Sequence, residues 1–207
     1  MPTPHQKARP STGGQGAPRR RADAERSIAT IVAAALDCFV RDPHVSMTKV
    51  ATAAGVSRVT LYAHFPSREA LLDAVLAHSV EQADTLLHQQ NLDDLPADQA
   101  FSRLIHSSWR ILERHAFLLA ASEGVIAPAR RRTHHRKVLG RVERILTRGQ
   151  HEGTFRTDLP MTWLVTTFYS LLHAAAGEAA ARRLRTSEVP DVLDRTLTPL
   201  LRQPPAV

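Results

Sequence analysis

From Ala22 onward, apolar residues recur at intervals of three and four and no stretch alternates with period two, which predicts an all-α chain of about nine helices. Ile28, Ile31, Val32, Ala35, Leu36 and Phe39 form one stripe, giving a first helix over 23–40. Arg41-Asp42-Pro43 closes it, because proline cannot extend a helix and disfavours α geometry in the residue before it. Ser46 suits the N-cap of a short helix over 47–54, Gly55 ends it, and Ser57 caps another over 58–64. After the Phe65-Pro66 break, Ser67 starts a long fourth helix over 67–90, with Leu71, Leu72, Val75, Leu76, Val80 and Leu87 inward.

Beyond Pro96 the spacing of Phe101, Leu104, Ile105 and Leu112 marks a fifth helix, 117–126 a sixth, and Val138, Val142 and Ile145 a seventh that ends near Gly153. Asp158-Leu159-Pro160 reads as the start of an eighth, reaching about Leu184. Val189, Val192, Leu193, Leu197 and Leu200 mark the ninth. The expected organisation is a disordered basic tail over 1–22, a three-helix domain over 23–66, the linking fourth helix, and a larger helical domain over 97–202.

Charge narrows the partners. The chain has 27 Lys plus Arg against 20 Asp plus Glu, a formal +7, which favours nucleic acid or an anionic membrane surface. Only Lys7, Lys49 and Lys137 are lysines, so guanidinium groups, with their bidentate grip on phosphate, dominate. The lone Cys38, among Ala34, Ala35, Leu36 and Phe39, excludes an internal disulfide and reads as a small core hydrophobe. No apolar run approaches the roughly 18 to 20 residues of a membrane span, and the first residues lack the apolar core of a secretory signal, so the expected location is cytoplasmic.

The most informative stretch is Met47 to Phe65, two short helices around a tight turn. Ala51 and Ala54 let the helices approach, Gly55 permits positive φ, and Val56 and Leu61 close a miniature core. Such a unit lays its second helix in the major groove of DNA, where Arg58, Val59 and Thr60 can reach base edges.

Ala51-x-x-Ala54-Gly55-Val56-Ser57-x-x-Thr60-Leu61-Tyr62-x-His64-Phe65-x-Ser67-x-Glu69-x-Leu71-Leu72 resembles the TetR family of repressors over roughly 23–84. That resemblance implies a dimer that binds operator DNA, with three N-terminal helices for DNA and about six more for ligand and dimer contacts. It implies that Thr48 and Tyr62 touch phosphates, that Arg58 and Thr60 read or approach bases, and that His64 with Arg68 grips the flanking backbone. Val59 stands where the family often has Gly or Ala; it suits a thymine methyl or a narrowed set of operators. His64 could instead be a plain C-cap and Tyr62 a core aromatic, though its polar tip suits a phosphate, whereas Phe65 reads as a core aromatic. Arg19, Arg20 and Arg21 read either as a DNA-contacting arm or as a solvated tail.

The C-terminal half speaks less clearly. The eighth helix carries a small-residue face of Thr167, Ser170, Ala174, Gly177 and Ala181 beside Trp163, which with the ninth helix suggests a four-helix homodimer interface. For an unidentified small-molecule ligand the candidate lining is Trp109, Phe117, Phe168, Tyr169 and His173, with His106 and Glu123 as polar anchors. The tract Arg130-Arg131-Arg132-Thr133-His134-His135-Arg136-Lys137 reads as a solvated loop and helix start, and adjacent His134 and His135 point to different faces. No metal or cofactor motif stands out, and no set of nucleophile, base and orienter favours an enzyme. The competing reading is a ligand-independent or architectural DNA-binding protein, which predicts little preference between specific and random duplexes.

Overall fold

A computed structural model describes residues 16–122 and 124–204. Ten α-helices follow in order: α1 Gly16–Arg41, α2 Met47–Ala53, α3 Arg58–His64, α4 Arg68–His88, α5 Ala97–Arg114, α6 Ala116–Ser122, α7 Pro128–His134, α8 Arg136–His151, α9 Met161–Ala180 and α10 Val189–Leu201. The described residues form no strand, only an isolated bridge between Phe155 and Arg202. None of the described helices is long and apolar enough to cross a membrane.

Three serines set the head. Ser46, Ser57 and Ser67 each have extended backbone and accept from the N–H three residues on, at Lys49, Thr60 and Ala70, satisfying donors that a helix start leaves open. Gly55 has φ +67°, the left-handed turn that swings α3 away from α2. Ile31, Val32, Ala35 and Phe39 of α1 are buried with Val50, Ala51 and Leu61, as the apolar spacing predicted, and Phe65 belongs to this core. Cys38 is half-buried against it.

α1 departs from expectation at its start. It opens at Gly16, ahead of Asp23, so residues 16–22 are helical. Pro18 sits in the first turn, where its missing N–H costs nothing, and Ala17, Arg19, Arg20, Arg21 and Ala22 all favour helix. Arg19, Arg20 and Arg21 therefore lie in the opening turns of a helix; residues 1–15 of the expected tail lie outside the described residues.

α4 is the hinge beam of the molecule. Leu71, Leu72 and Val75 pack into the head core, while Leu76, Val80 and Leu87 continue into the body, where α4 meets α5, α6, α7 and α8. The centre of the body is an aromatic trio: Phe101 of α5 meets Phe155 and Phe168 edge-on at 5.7 and 5.8 Å. Gly149 makes this possible, because a Cβ there would lie 2.1 Å from the Phe155 ring. α9 begins at Met161, behind Pro160, and Asp158 pairs with Arg156 at 2.7 Å instead of capping the helix.

Candidate functional site

Two places stand out, one on the outside of the head and one inside the body. On α3, Arg58 is exposed, Val59 is 81% exposed and Tyr62 is 40% exposed, so these three form an outward row. Thr60 is half-buried and its hydroxyl lies 2.8 Å from the Ser57 hydroxyl, tied to the helix cap. Thr48 is exposed on α2, and His64 is half-buried at the last turn of α3.

Arg68 is the exception among the expected DNA contacts. Its guanidinium donates to the carbonyls of Val45 and Pro43 and lies 4.8 Å from the Phe39 ring centroid. The guanidinium expected to grip the DNA backbone is engaged within the chain, where its fork closes the loop between α1 and α2, whose carbonyls no helix satisfies.

The second place is a cavity among α4, α5, α6, the α7–α8 junction and α9. It is a narrow cavity of about 90 Å³. Leu76, Val80, Leu112 and Leu118 supply apolar wall, and Ser79, Ser108, His115, Arg131, His135, Tyr169 and His173 the polar points.

Of the five candidates, Tyr169 and His173 line this cavity, and Phe168, Trp109 and Phe117 do not. Phe168 is buried in the aromatic trio, and Trp109 is buried with its Nε1–H donating to the Thr186 carbonyl at 3.2 Å. Phe117 packs half-buried against the core, its ring 6.3 Å from that of His115, off the cavity wall. Large rings fill the centre because they bury the most apolar surface; the space left over is bounded by smaller and polar groups. His106 lies 4.0 Å from Asp194 at α10, away from the cavity, and Glu123 is outside the described residues.

His115, Arg131 and His135 are lining residues that the sequence reading missed. The signal was there for His135: neighbours in sequence point to different faces of a helix. His134 faces α4, its Nε2 2.7 Å from Asp73, while His135 turns into the cavity and stacks edge-on with Tyr169 at 5.3 Å and His173 at 5.4 Å. His135 and His173 donate their Nδ1–H to the carbonyls of Arg131 and Tyr169, each at 2.8 Å, since a carbonyl can only accept. Burial holds both imidazoles below their ordinary range, His173 down to about 4, and the charge of Arg131 adds to the effect.

The basic tract is also corrected. It is helix α7 and the start of α8, and it is clamped to α4: Arg130 meets Asp73 with a closest approach of 2.8 Å, Lys137 meets Glu81 at 2.6 Å, and Arg141 meets Asp84 at 3.0 Å. The Arg130 hydrogen bonds, reinforced by His134, hold the Asp73 carboxyl below its usual range. Charge, and no apolar stripe, positions this helix, which has no buried residue among those described.

A capped helix-turn-helix joined through one long helix to a hollow helical body defines the class: a helix-turn-helix protein with a helical C-terminal domain. Residues 31–75 match the model of the bacterial regulatory proteins of the tetR family. The HTH-type transcriptional regulator EthR of Mycobacterium tuberculosis is 46% identical over 54 residues, which are 26% of this chain and 24% of EthR. The HTH-type transcriptional repressor LfrR of Mycolicibacterium smegmatis is 24% identical over 174 residues, 84% of this chain and 89% of LfrR. The crystal structure of LfrR with proflavine superposes with a TM-score of 0.62 at 22% identity, covering 84% of this chain and 95% of that one. FadR of Bacillus subtilis with stearoyl-CoA gives a TM-score of 0.69 at 15% identity, covering 82% of this chain and 97% of that one. Over residues 31–75 the chain is thus similar to the tetR family of bacterial regulatory proteins, and over most of its length it shares the helical fold of LfrR.

Proposed function

We propose that the protein is a sequence-specific DNA-binding transcriptional regulator, a repressor that leaves its operator when a small molecule fills the body cavity, and not an enzyme. The observation that carries this reading is the outward row of Arg58, Val59 and Tyr62 on α3, backed by a buried core that fixes its direction. A groove-reading helix needs free side chains on a rigid support, and Ser57, Gly55 and Leu61 provide the support.

The protein works as a homodimer through α9 and α10. Ser170, Ala174 and Gly177 of α9 are exposed, the space around Gly177 is open, and Trp163 and Val192 are large apolar residues left at the surface of these two helices. Two copies joined there set the spacing of two α3 helices, which must match successive major grooves. That the same fold holds proflavine in LfrR and stearoyl-CoA in FadR supports a small-molecule ligand for this body.

Release follows from α7. Arg130 on its outer side holds Asp73 of α4, while Arg131, the next residue, lines the cavity. A ligand that draws Arg131 inward turns α7, and the turn reaches α4 and the head; a conformation with mismatched head spacing is then favoured.

The test is a binding titration against duplexes selected by the protein from a random pool, and against each single-base variant of one half-site. Arg58→Ala is expected to cost about 1 to 3 kcal/mol and to relax discrimination at one base-pair position, as loss of a bidentate base contact does. Tyr62→Phe weakens all duplexes alike, because a phosphate carries no sequence. Uniform loss for Arg58→Ala, or altered base preference for Tyr62→Phe, defeats this orientation of α3.

A further inference from the structure

Six buried side-chain nitrogen or oxygen atoms among the described residues have no hydrogen-bond partner. Four of them, Ser79 Oγ, Ser108 Oγ, His115 Nδ1 and Arg131 Nε, belong to residues of the cavity wall. The other two are Nε atoms of Arg141 and Arg148, whose terminal nitrogens are engaged elsewhere, with Asp84 and with the carbonyls of Leu92 and Asp93. Buried polar atoms are normally paired, so their concentration around one cavity marks where a ligand's polar group is received.

The charge of the wall decides the kind of group. Its described residues include one guanidinium, three imidazoles and a phenol, and no carboxylate. A cation meets Arg131 there without a counter-charge. A neutral hydrocarbon leaves the buried Nε–H unpaired. Only an acceptor, and best a charged one, turns that donor into a charge-assisted hydrogen bond. The rest of the wall is aliphatic, which asks for an apolar body behind the charged head.

Resting on the reading of this cavity as the ligand site, we infer that the ligand is an apolar acid: a hydrocarbon or aromatic body carrying one carboxylate, received by Arg131 with Ser79 and Ser108. The imidazoles add a second property. With Nδ1–H of His135 and His173 given to backbone carbonyls, Nε2 of each neutral ring is the atom that takes a proton. The groups facing them are Arg131 and Arg132 of α7, Tyr169 of α9, His134 beside His135, and His115 between α5 and α6 in the same wall. An anion placed among these positive and neutral groups favours protonation, so the acid binds with uptake of a proton in mildly acidic solution.

Calorimetric titration of the full chain with decanoic acid against decanol, and naphthoic acid against naphthol, tests this. Each acid is expected to bind at least roughly 10-fold more tightly than its alcohol. Arg131→Gln lowers acid affinity by roughly 10- to 100-fold and leaves alcohol affinity unchanged, Arg131→Lys keeps part of it, and Ser108→Ala costs less than Arg131→Gln. Thermal unfolding of each variant separates lost binding from lost fold, and titration in buffers of different ionisation heat reads the proton uptake. Alcohols that bind as tightly as acids, an amine such as decylamine that binds more tightly, or acids that do not bind at all overturn the inference. If an acid binds through Arg131 but leaves the selected duplex bound, the ligand class stands and the release reading fails; if an alcohol or amine releases the duplex, the reverse holds.

Discussion

Along α4 the chain passes from a head whose functional side chains point outward to a body whose unpaired polar atoms point inward. In the head, Arg58, Val59 and Tyr62 are exposed over a packed core, and each short helix is closed by its own serine. In the body, Ser79, Ser108, His115 and Arg131 of the cavity wall keep orphaned atoms, while ion pairs of Arg130, Lys137 and Arg141 with Asp73, Glu81 and Asp84 tie α7 and α8 to α4. The lesson is that specificity toward a large polyanion needs only a stiff platform, whereas specificity toward a small guest needs polar groups withheld from their neighbours.

The comparison breaks most visibly by removing mass from the body. Phe101→Ala deletes the ring shared by Phe155 and Phe168 and should cost about 3 to 5 kcal/mol in urea unfolding. Val59→Ala, on the exposed row of the head, should stay within about 0.5 kcal/mol. Equal losses would mean that α3 is part of the load path and no free reading surface.

Acid separates the two regions next. The folded chain protonates His173 only near 4, the unfolded chain near 6.5, so between these values the unfolded state holds more protons and stability falls as pH falls. The expected loss is on the order of 1 to 3 kcal/mol across that window, with His135, also depressed, acting in the same direction. Denaturant midpoints measured across the window should show this slope, and His173→Phe should flatten it. A slope unchanged by that substitution would place the acid sensitivity elsewhere.

The smallest effect on stability is the most telling for coupling. Asp73→Asn weakens a pair whose Arg130 partner is largely exposed, so its stability cost should stay below about 1 kcal/mol. It should nevertheless reduce the ligand's effect on DNA affinity, measured as the ratio of operator affinities with and without ligand. An unchanged ratio removes α7 from the route between cavity and head.

How far the sequence disclosed all this follows from the range of the forces involved. Ser46, Ser57, Ser67 and Gly55 act within three or four residues, so the head could be read from local spacing. α7 could not, because Arg130-Arg131-Arg132 carries no apolar stripe and its partner Asp73 lies on α4, 57 residues earlier. Arg68 shows the same blindness inside the head: its commitment to the carbonyls of Pro43 and Val45 depends on tertiary approach. Trp109 and Phe168 were plausible cavity walls by type, but packing sent them to the core and left Tyr169, His173 and the unforeseen His135 at the opening.

The brevity of α7 has a kinetic meaning. Seven residues are fewer than an isolated helix needs to outweigh its nucleation cost, and no residue of this one is buried to compensate. Such a unit opens and recloses without the surrounding bundle unfolding, and its amide hydrogens exchange through that local event. Raised ionic strength speeds the opening, because the Arg130 guanidinium that helps hold it to α4 is largely exposed. If a guest is sensed through α7 as proposed, the time this helix spends open sets how soon an arriving guest is felt.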